Sequence, residues 1–90
     1  MQRRIEGFIR REWVVDKLVT KHSVTPDETE EAFFNSPLKV RKASSGKYLL
    51  CGTSDGGRYL FVVFAWDESK VKVITARDMT KGERRFLLGR

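Results

Sequence analysis

The stretch that decides the fold spans residues 56–83 and reads GGRYLFVVFAWDESKVKVITARDMTKGE. Its residues 59–66 form an unbroken apolar run rich in β-branched and aromatic side chains, which predicts a strand covered on both faces. Residues 70–75 alternate between polar and apolar, which is typical of a half-exposed antiparallel partner. A hairpin centred near Glu68 would place Arg58 and Arg77 within about one rung of facing each other. Both arginines are therefore expected at the same end of the sheet.

A helix is predicted to begin at that end, because residues 80–83 match a capping box, with Thr80 at the N-cap and Glu83 three residues later. Free amides and the positive end of the helix dipole attract anions. Two guanidinium groups beside such a helix start could bind a phosphodiester and balance the charge that develops when it is cleaved. The alternative is that Arg58 and Arg77 are ordinary rim residues, with Arg77 paired to Asp78 or Glu83.

Length and composition favour one small domain spanning residues 1–90, since 90 residues with 40% apolar content suffice for a single core. The single cysteine, Cys51, excludes a disulfide framework, and one cysteine with one histidine argues against a structural zinc site. The N-terminal segment has charge but no apolar signal region, and no segment is long enough to cross a bilayer. We therefore expect a cytoplasmic protein without membrane contact.

Charge is distributed unevenly along the chain. The net charge is +6, from 18 Lys and Arg against 12 Asp and Glu. Both ends are basic, whereas residues 27–31 hold a tight acidic cluster. A basic surface of this kind favours an RNA or DNA backbone, and the alternative is a soluble basic protein with no nucleic-acid partner.

Two helices are predicted before the sheet. Residues from Glu12 to about Lys21 have apolar side chains at helical spacing, and Trp13 is expected in the core. Thr25 begins a second capping box with proline at the first helical position, which predicts a helix from Pro26 to about Phe34. The core-facing residues of this second helix are expected to be Thr29, Ala32 and Phe33.

The remaining segments predict mostly strands. Asn35-Ser36-Pro37 ends the second helix, and short turns rich in glycine and serine separate predicted strands at residues 38–43, 48–51 and 59–66. Residues 5–9 are expected to form a short strand or an irregular arm. The predicted fold class is α+β, with two N-terminal helices, a four-stranded antiparallel β-meander and a C-terminal helix ending near Leu88.

Several motifs in these elements resemble those of the BrnT family of toxins. They are Lys21-His22-Ser23-Val24-Thr25, Glu31-Ala32-Phe33-Phe34, Gly52-Thr53, the run from Gly57 to Phe64, Ile74-Thr75-Ala76-Arg77 and Glu83-Arg84. The resemblance covers roughly residues 13–86. It implies a RelE-like ribonuclease toxin of a type II toxin–antitoxin system that cuts RNA without a metal or other cofactor. It also implies a small BrnA-like antitoxin as partner, with DNA bound only through that antitoxin.

Metal-free RNA cleavage needs a base, an acid and cations for the charge at phosphorus. The resemblance carries this chemistry to Arg58, Arg77 and Glu83, which the predicted hairpin also groups. His22 is a candidate for proton transfer because its intrinsic pKa is near neutral, although capping a helix C-terminus is an equal alternative. For Glu83 the alternative to orienting Arg77 or accepting a proton is the capping role itself. The candidates for contact with RNA are Lys21, Lys81 and Arg84.

Two departures from the family pattern bear on activity. Ser23 replaces the glycine that the family favours after Lys-His, and Phe86 stands where many relatives carry a tyrosine. They keep open a second function, in which an inactive toxin-like module binds an antitoxin and forms a DNA-binding repressor complex. A third, a plain RNA-binding domain, needs exposed aromatics on the sheet, and those at positions 59, 61, 64 and 66 are expected to be too buried.

Overall fold

The computed structural model describes residues 4–89, which contain five strands and three helices. Their bounds in chain order are β1 (Gly7–Ile9), α1 (Glu12–His22), α2 (Pro26–Glu31), β2 (Lys39–Lys42), β3 (Lys47–Thr53), β4 (Tyr59–Asp67), β5 (Lys70–Asp78) and α3 (Lys81–Leu88). No helix in this described part of the chain has the length and apolar character that a membrane crossing needs.

The strands form one mixed sheet in the order β1-β5-β4-β3-β2. Strands β2 to β5 make the predicted antiparallel meander. The prediction of only four strands was wrong, because β1 adds to the free edge of β5 in parallel, with Phe8 beside Val71. The short strand expected within residues 5–9 does form, but three residues carry too little pattern to predict its pairing with a strand more than 60 positions away. The α+β class is confirmed, and the sheet is five-stranded.

The β4–β5 hairpin has a different register from the predicted one. A β-bulge lies between Val63 and Phe64, and beyond it Phe61 pairs with Arg77. Arg58 therefore lies three positions from the residue that faces Arg77, so the predicted separation of one rung was wrong. Because successive side chains of a strand point to opposite faces, an offset of three places Arg58 and Arg77 on opposite faces of the sheet.

One face of the sheet is covered by α1 and α2 and holds the main core, and we call it the α1/α2 face. Leu60, Val62 and Phe64 of β4 are buried there against α1 and α2, as part of a core that also includes Val14, Leu18, Val24, Ala32, Phe33, Leu50, Val71 and Ala76. The predicted burial of Thr29, Ala32 and Phe33 is confirmed.

Trp13 is 61% exposed, so its predicted place in the core was wrong. Val14 and Leu18, four residues apart, are the α1 side chains that face the sheet, and Trp13 points away from that stripe. The Arg11 guanidinium packs 4.9 Å from its ring centre instead. Helix α2 ends at Glu31, earlier than predicted, because the amides of Phe33 and Phe34 bond three residues back in a tightened turn.

The opposite face of the sheet, which we call the α3 face, is covered only at one end. Leu87 of α3 is buried there with Cys51 and Met79, and Tyr59 and Phe61 pack partly against them. The rest of this face, toward β2, is more open, since Lys39 and Arg41 of β2 are exposed on it. The α1/α2 face is more fully covered, and it is open only toward β2, where Val40 is 51% exposed.

Candidate functional site

A groove of about 320 Å³ lies on the α3 face, between α3 and strands β2 to β4. The residues that line it are Lys39, Arg41, Leu49, Cys51, Phe61, Gly82, Glu83 and Phe86. We call this the groove.

Strand register explains why these residues meet. Lys39 pairs with Cys51, and Cys51 pairs in turn with Phe61, so the three side chains stand in one row across β2, β3 and β4. Arg41 pairs with Leu49 in the neighbouring row. Paired residues share a face of the sheet, so alternate positions of each strand supply the floor and one wall of the groove.

The other wall is set by the start of α3. Thr80 and Glu83 form the predicted capping box, in which the Thr80 hydroxyl accepts from the Glu83 amide at 3.2 Å and the Glu83 carboxylate accepts from the Thr80 amide at 2.9 Å. This reciprocal bonding fixes the Glu83 side chain at the helix start. Glu83 can then pair with a second group with little further loss of side-chain conformational freedom.

That second group is the guanidinium of Arg77, at the rim of the groove. Its two terminal nitrogens donate to the two Glu83 oxygens at 2.8 and 2.9 Å, and its guanidinium carbon lies 4.3 Å from the centre of the Phe61 ring. The hydrogen bonds from Arg77 hold the pKa of Glu83 below its ordinary value, and those to Glu83 raise the pKa of Arg77. The pair is thus charged at neutral pH and held in one orientation.

Cys51 forms part of the apolar floor. Burial raises the pKa of its thiol, and the nearby Glu83 carboxylate raises it further. The thiol is therefore protonated at neutral pH, and it acts as a small apolar side chain and not as a nucleophile.

Arg58 lies outside the groove, on the α1/α2 face. Its guanidinium makes a bidentate pair with Asp78 at 2.7 and 3.1 Å and donates to the backbone carbonyls of Ser23 at 2.7 Å and His22 at 3.1 Å. The remaining donor points to the Glu28 carboxylate at 3.3 Å. All five N–H groups of Arg58 thus have partners. Mutual hydrogen bonding lowers the pKa of Asp78 and raises that of Arg58.

These bonds join three elements at one point, which we call the Arg58 junction. Arg58, the residue just before β4, binds the C-terminal end of α1, the N-terminal turn of α2 and the last residue of β5. Ser23, the C-cap of α1, has a left-handed backbone with φ of 55°. Glycine adopts this conformation without steric cost, which explains why a glycine suits this position.

The other predicted site residues divide between the two faces. His22, the last residue of α1, is half-buried beside the Arg58 junction, and Lys21 next to it is exposed. Lys81 and Arg84 are exposed on α3, and the Arg84 guanidinium packs 4.8 Å from the Tyr59 ring centre. The structure therefore brings Arg77 and Glu83 together, and it separates them from Arg58 and His22.

Sequence reasoning missed Lys39 and Arg41 as site residues. The Lys39 ammonium donates to the backbone carbonyl of Phe86 at 2.6 Å and lies 4.9 Å from its ring centre, and the Arg41 guanidinium lies 5.5 Å from the same ring. The signal was present in residues 39–42, which read Lys-Val-Arg-Lys and place cations at alternate positions of a predicted exposed strand. That alternation puts both cations on one face.

The groove is suited to a polyanion. Lys39 and Arg41 border an apolar floor, and Glu83, the one carboxylate among the described residues that line the groove, is paired with Arg77 at the rim, so the lining keeps a net positive charge. Single-stranded nucleic acids bind to surfaces that combine cations with aromatic rings. Within residues 4–89, His, Cys, Asp and Glu side chains do not gather in groups of three or more that could hold a metal ion.

Comparisons with known proteins agree with this fold. Residues 15–83 match the sequence profile of a family described as the ribonuclease toxin BrnT of type II toxin–antitoxin systems. The chain is similar to the crystal structure of the Brucella abortus ribonuclease toxin BrnT, with a TM-score of 0.69 at 20% sequence identity. The likeness covers 83% of this chain and 97% of that one, and it shows a shared fold. No curated protein matches the sequence.

Proposed function

Because the chain belongs to the BrnT family of ribonuclease toxins of type II toxin–antitoxin systems, we propose that its groove binds RNA and that Arg77 and Glu83 cleave it. The observation that carries the proposal is the Arg77–Glu83 pair, which is bidentate, held against Phe61 and set at the rim of a cationic groove. In the cell the substrate is cytoplasmic RNA. The meander with helices before and after it fits the RelE-like arrangement that the resemblance implies.

The proposed reaction uses the RNA's own 2′-hydroxyl. Glu83, which is ionised at neutral pH, accepts the 2′-hydroxyl proton while the 2′ oxygen forms a bond to phosphorus. The bond from phosphorus to the 5′ oxygen breaks, and that oxygen takes a proton from solvent in the open groove. The products are a 2′,3′-cyclic phosphate and a free 5′-hydroxyl. Arg77 stabilises the extra negative charge at phosphorus in the transition state.

Arg58 and His22 enter this proposal in a different role from the one first predicted. Their catalytic roles stay predictions, and in this structure the Arg58 donors are all engaged with protein groups on the α1/α2 face. We infer that Arg58 positions the end of β5, from which Arg77 projects into the site. His22 contributes its backbone carbonyl to that junction.

The test is cleavage of a labelled RNA oligonucleotide by purified protein. We expect Arg77→Ala to reduce the cleavage rate by about 10²- to 10³-fold, the usual loss for one charge-stabilising donor. Arg85→Ala is the matched control, because Arg85 is an exposed arginine of α3 that does not line the groove. Equal rates in Arg77→Ala and wild type would refute the site assignment.

One control on the substrate and one on the solution test the proposed cleavage mechanism. Replacing the attacking ribose with deoxyribose removes the 2′ oxygen, so cleavage at that bond should stop. Metal independence predicts that the rate is unchanged by excess EDTA. A rate that falls in EDTA and returns with a divalent cation would contradict the proposed mechanism.

We further propose that induced expression arrests growth by inhibiting translation, and that an antitoxin reverses the arrest by covering the groove. The cations of the groove favour acidic and hydroxyl side chains in that partner. DNA binding by the complex is assigned to the antitoxin. Co-expression with its antitoxin should restore growth, and a complex that leaves the groove open would rule out direct blockage.

A second candidate function is an inactive interaction module, which one observation favours. Among the described residues that line the groove there is neither a histidine nor a tyrosine, because His22 lies on the other face and position 86 is a phenylalanine without a hydroxyl. Intact RNA and normal growth after expression of wild type and Arg77→Ala alike would support this candidate over the ribonuclease.

A further inference from the structure

Phe86 is an exposed aromatic side chain that helix packing does not explain. It is 40% exposed on α3, whereas Leu87, the next residue, is buried at 3% and anchors the helix on the sheet. Phe86 follows Glu83 by three residues, so the two side chains lie on the same face of α3, about 5–6 Å apart at their β-carbons. The ring therefore stands directly beside the proposed cleavage pair.

Two cations hold and flank this ring. Lys39 donates to the Phe86 backbone carbonyl at 2.6 Å, which ties the end of α3 to the edge strand β2. The Lys39 ammonium and the Arg41 guanidinium lie over the ring, 4.9 and 5.5 Å from its centre. A nucleobase that stacks on the ring takes the place of such a cation, whose N–H donors are then free to bind phosphate oxygens.

The space below the ring has the size and character of a small-ligand site. The groove measures about 320 Å³ and its floor is formed by Leu49, Cys51 and Phe61. This volume is at the lower end of the range of about 300–1,000 Å³ found for small-molecule sites. A nucleobase binds to an apolar floor beside an aromatic ring, and its phosphate binds to cations. The groove contains all three.

We propose that the groove contains a nucleotide subsite, in which a base of single-stranded RNA stacks on Phe86 while Arg41 and Lys39 contact its phosphates. The inference rests on the proposed function, and it adds the position of the nucleotide next to the scissile phosphate. RNA is favoured over an acidic protein segment, because a base can stack on the exposed ring while its phosphates pair with the cations, whereas an acidic segment would use the cations alone.

Binding of a non-cleavable RNA tests the subsite separately from cleavage. The probe is a fluorescent single-stranded oligonucleotide with 2′-O-methyl riboses, which cannot attack their own phosphates, followed by anisotropy at several salt concentrations. We expect Phe86→Ala to bind about 5- to 140-fold more weakly than wild type, the range for loss of one stacked base. Phe86→Trp should restore the affinity, and Phe86→Leu should not.

Salt dependence distinguishes stacking from charge. Phe86→Ala should leave the slope of log K against log salt unchanged, whereas Arg41→Ala should reduce it by about 0.7, the share of one phosphate on a single strand. Trp13→Ala is the matched control, since Trp13 is also an exposed aromatic with an arginine over its ring but lies on α1, away from the groove. Its affinity should equal that of wild type.

Two results would overturn the subsite: RNA affinity equal to wild type in Phe86→Ala, or RNA affinity equal to wild type in Phe86→Leu. If Phe86→Ala kept its RNA affinity and bound the antitoxin more weakly, the ring would be assigned to the protein partner. A folded state of each variant is checked by its denaturation curve. Because Arg77→Ala tests cleavage independently, loss of the subsite would leave the ribonuclease proposal standing. An absence of RNA binding and cleavage in wild type would remove both.

Discussion

Replacing Arg58 with lysine separates a structural role of this residue from a catalytic one, because lysine keeps the charge and loses the planar fork of donors. In the structure that fork holds the carboxylate of Asp78 and the carbonyls of His22 and Ser23. A lysine ammonium can reach only part of this set from one point. We therefore expect Arg58→Lys to weaken the fold while RNA cleavage by the folded protein continues.

The size of the effect follows from the exposure of each partner. Asp78 is 64% exposed, so water replaces much of its pairing and the salt bridge contributes little beyond about 1 kcal/mol. The two carbonyl bonds come from a side chain that is only 27% exposed, and each hydrogen bond made by a charged group is worth roughly 1.5–3 kcal/mol net. Because lysine keeps the charge and can still make part of the set, we expect the loss of about one carbonyl bond, or about 1.5–3 kcal/mol in the free energy of unfolding, a large part of the stability of a small domain.

Urea denaturation of wild type, Arg58→Lys and the control Arg85→Lys measures this loss, with cleavage of the labelled RNA assayed at a temperature where all three are folded. A double-mutant cycle with Asp78→Asn isolates the salt-bridge part, which we expect to be about 0.5–1 kcal/mol. Unchanged stability in Arg58→Lys combined with lost cleavage would refute this reasoning and make Arg58 a phosphate-binding residue.

Three other substitutions are expected to act through identified contacts. Gly52→Ala should lower the free energy of unfolding by about 1–3 kcal/mol in urea denaturation, because the added β-carbon would lie 2.5 Å from the Ala32 carbonyl oxygen. Gly56→Ala is the control and should leave the stability unchanged, because its added β-carbon would meet no atom nearer than 4.0 Å. Ser23→Gly should stabilise by about 0.5–1 kcal/mol, since φ of 55° suits glycine, and a decrease would contradict the strain argument. Glu83 has a lowered pKa, so the stability from its ion pair is present above the unfolded-state value of 4.5 and disappears as pH falls through the lower folded-state value. Glu83→Gln should therefore be less stable than wild type at pH 7 and should show a shallower loss of stability below pH 4.5.

Features encoded by neighbouring residues were predicted well from the sequence. Both capping boxes, at Thr25 and Thr80, form as predicted, because a hydroxyl and a carboxylate three residues apart satisfy helix amides wherever the helix lies. The meander of β2 to β5 also follows from local patterns of apolar residues and turns. The family resemblance predicted Arg77 and Glu83 as members of one site, and the structure brings the two side chains into contact, while their catalytic role stays a prediction.

Features that depend on register were not predictable in this way. A single bulge between Val63 and Phe64 changes which residue faces Arg77, and no property of the hairpin sequence located it. The place of β1 beside β5 depends on pairing between distant segments. Lys39 and Arg41 became site residues only through the pairing of β2 with β3, which decides the face that the two cations share.

The end of β5 shows how one strand serves both faces. Arg77 and Asp78 are neighbours in sequence and point to opposite sides of the sheet, where Arg77 binds Glu83 above the groove and Asp78 binds Arg58 under the helices. A further bond, from the Arg77 guanidinium to the Asp78 carbonyl at 3.0 Å, links the two positions directly. Substitutions at the two positions should therefore differ in kind, with Arg77→Ala reducing RNA cleavage and Asp78→Ala mainly lowering stability. If Asp78→Ala also abolished cleavage at full stability, the two faces would be functionally coupled, and the Arg58 junction would have to be counted as part of the catalytic site.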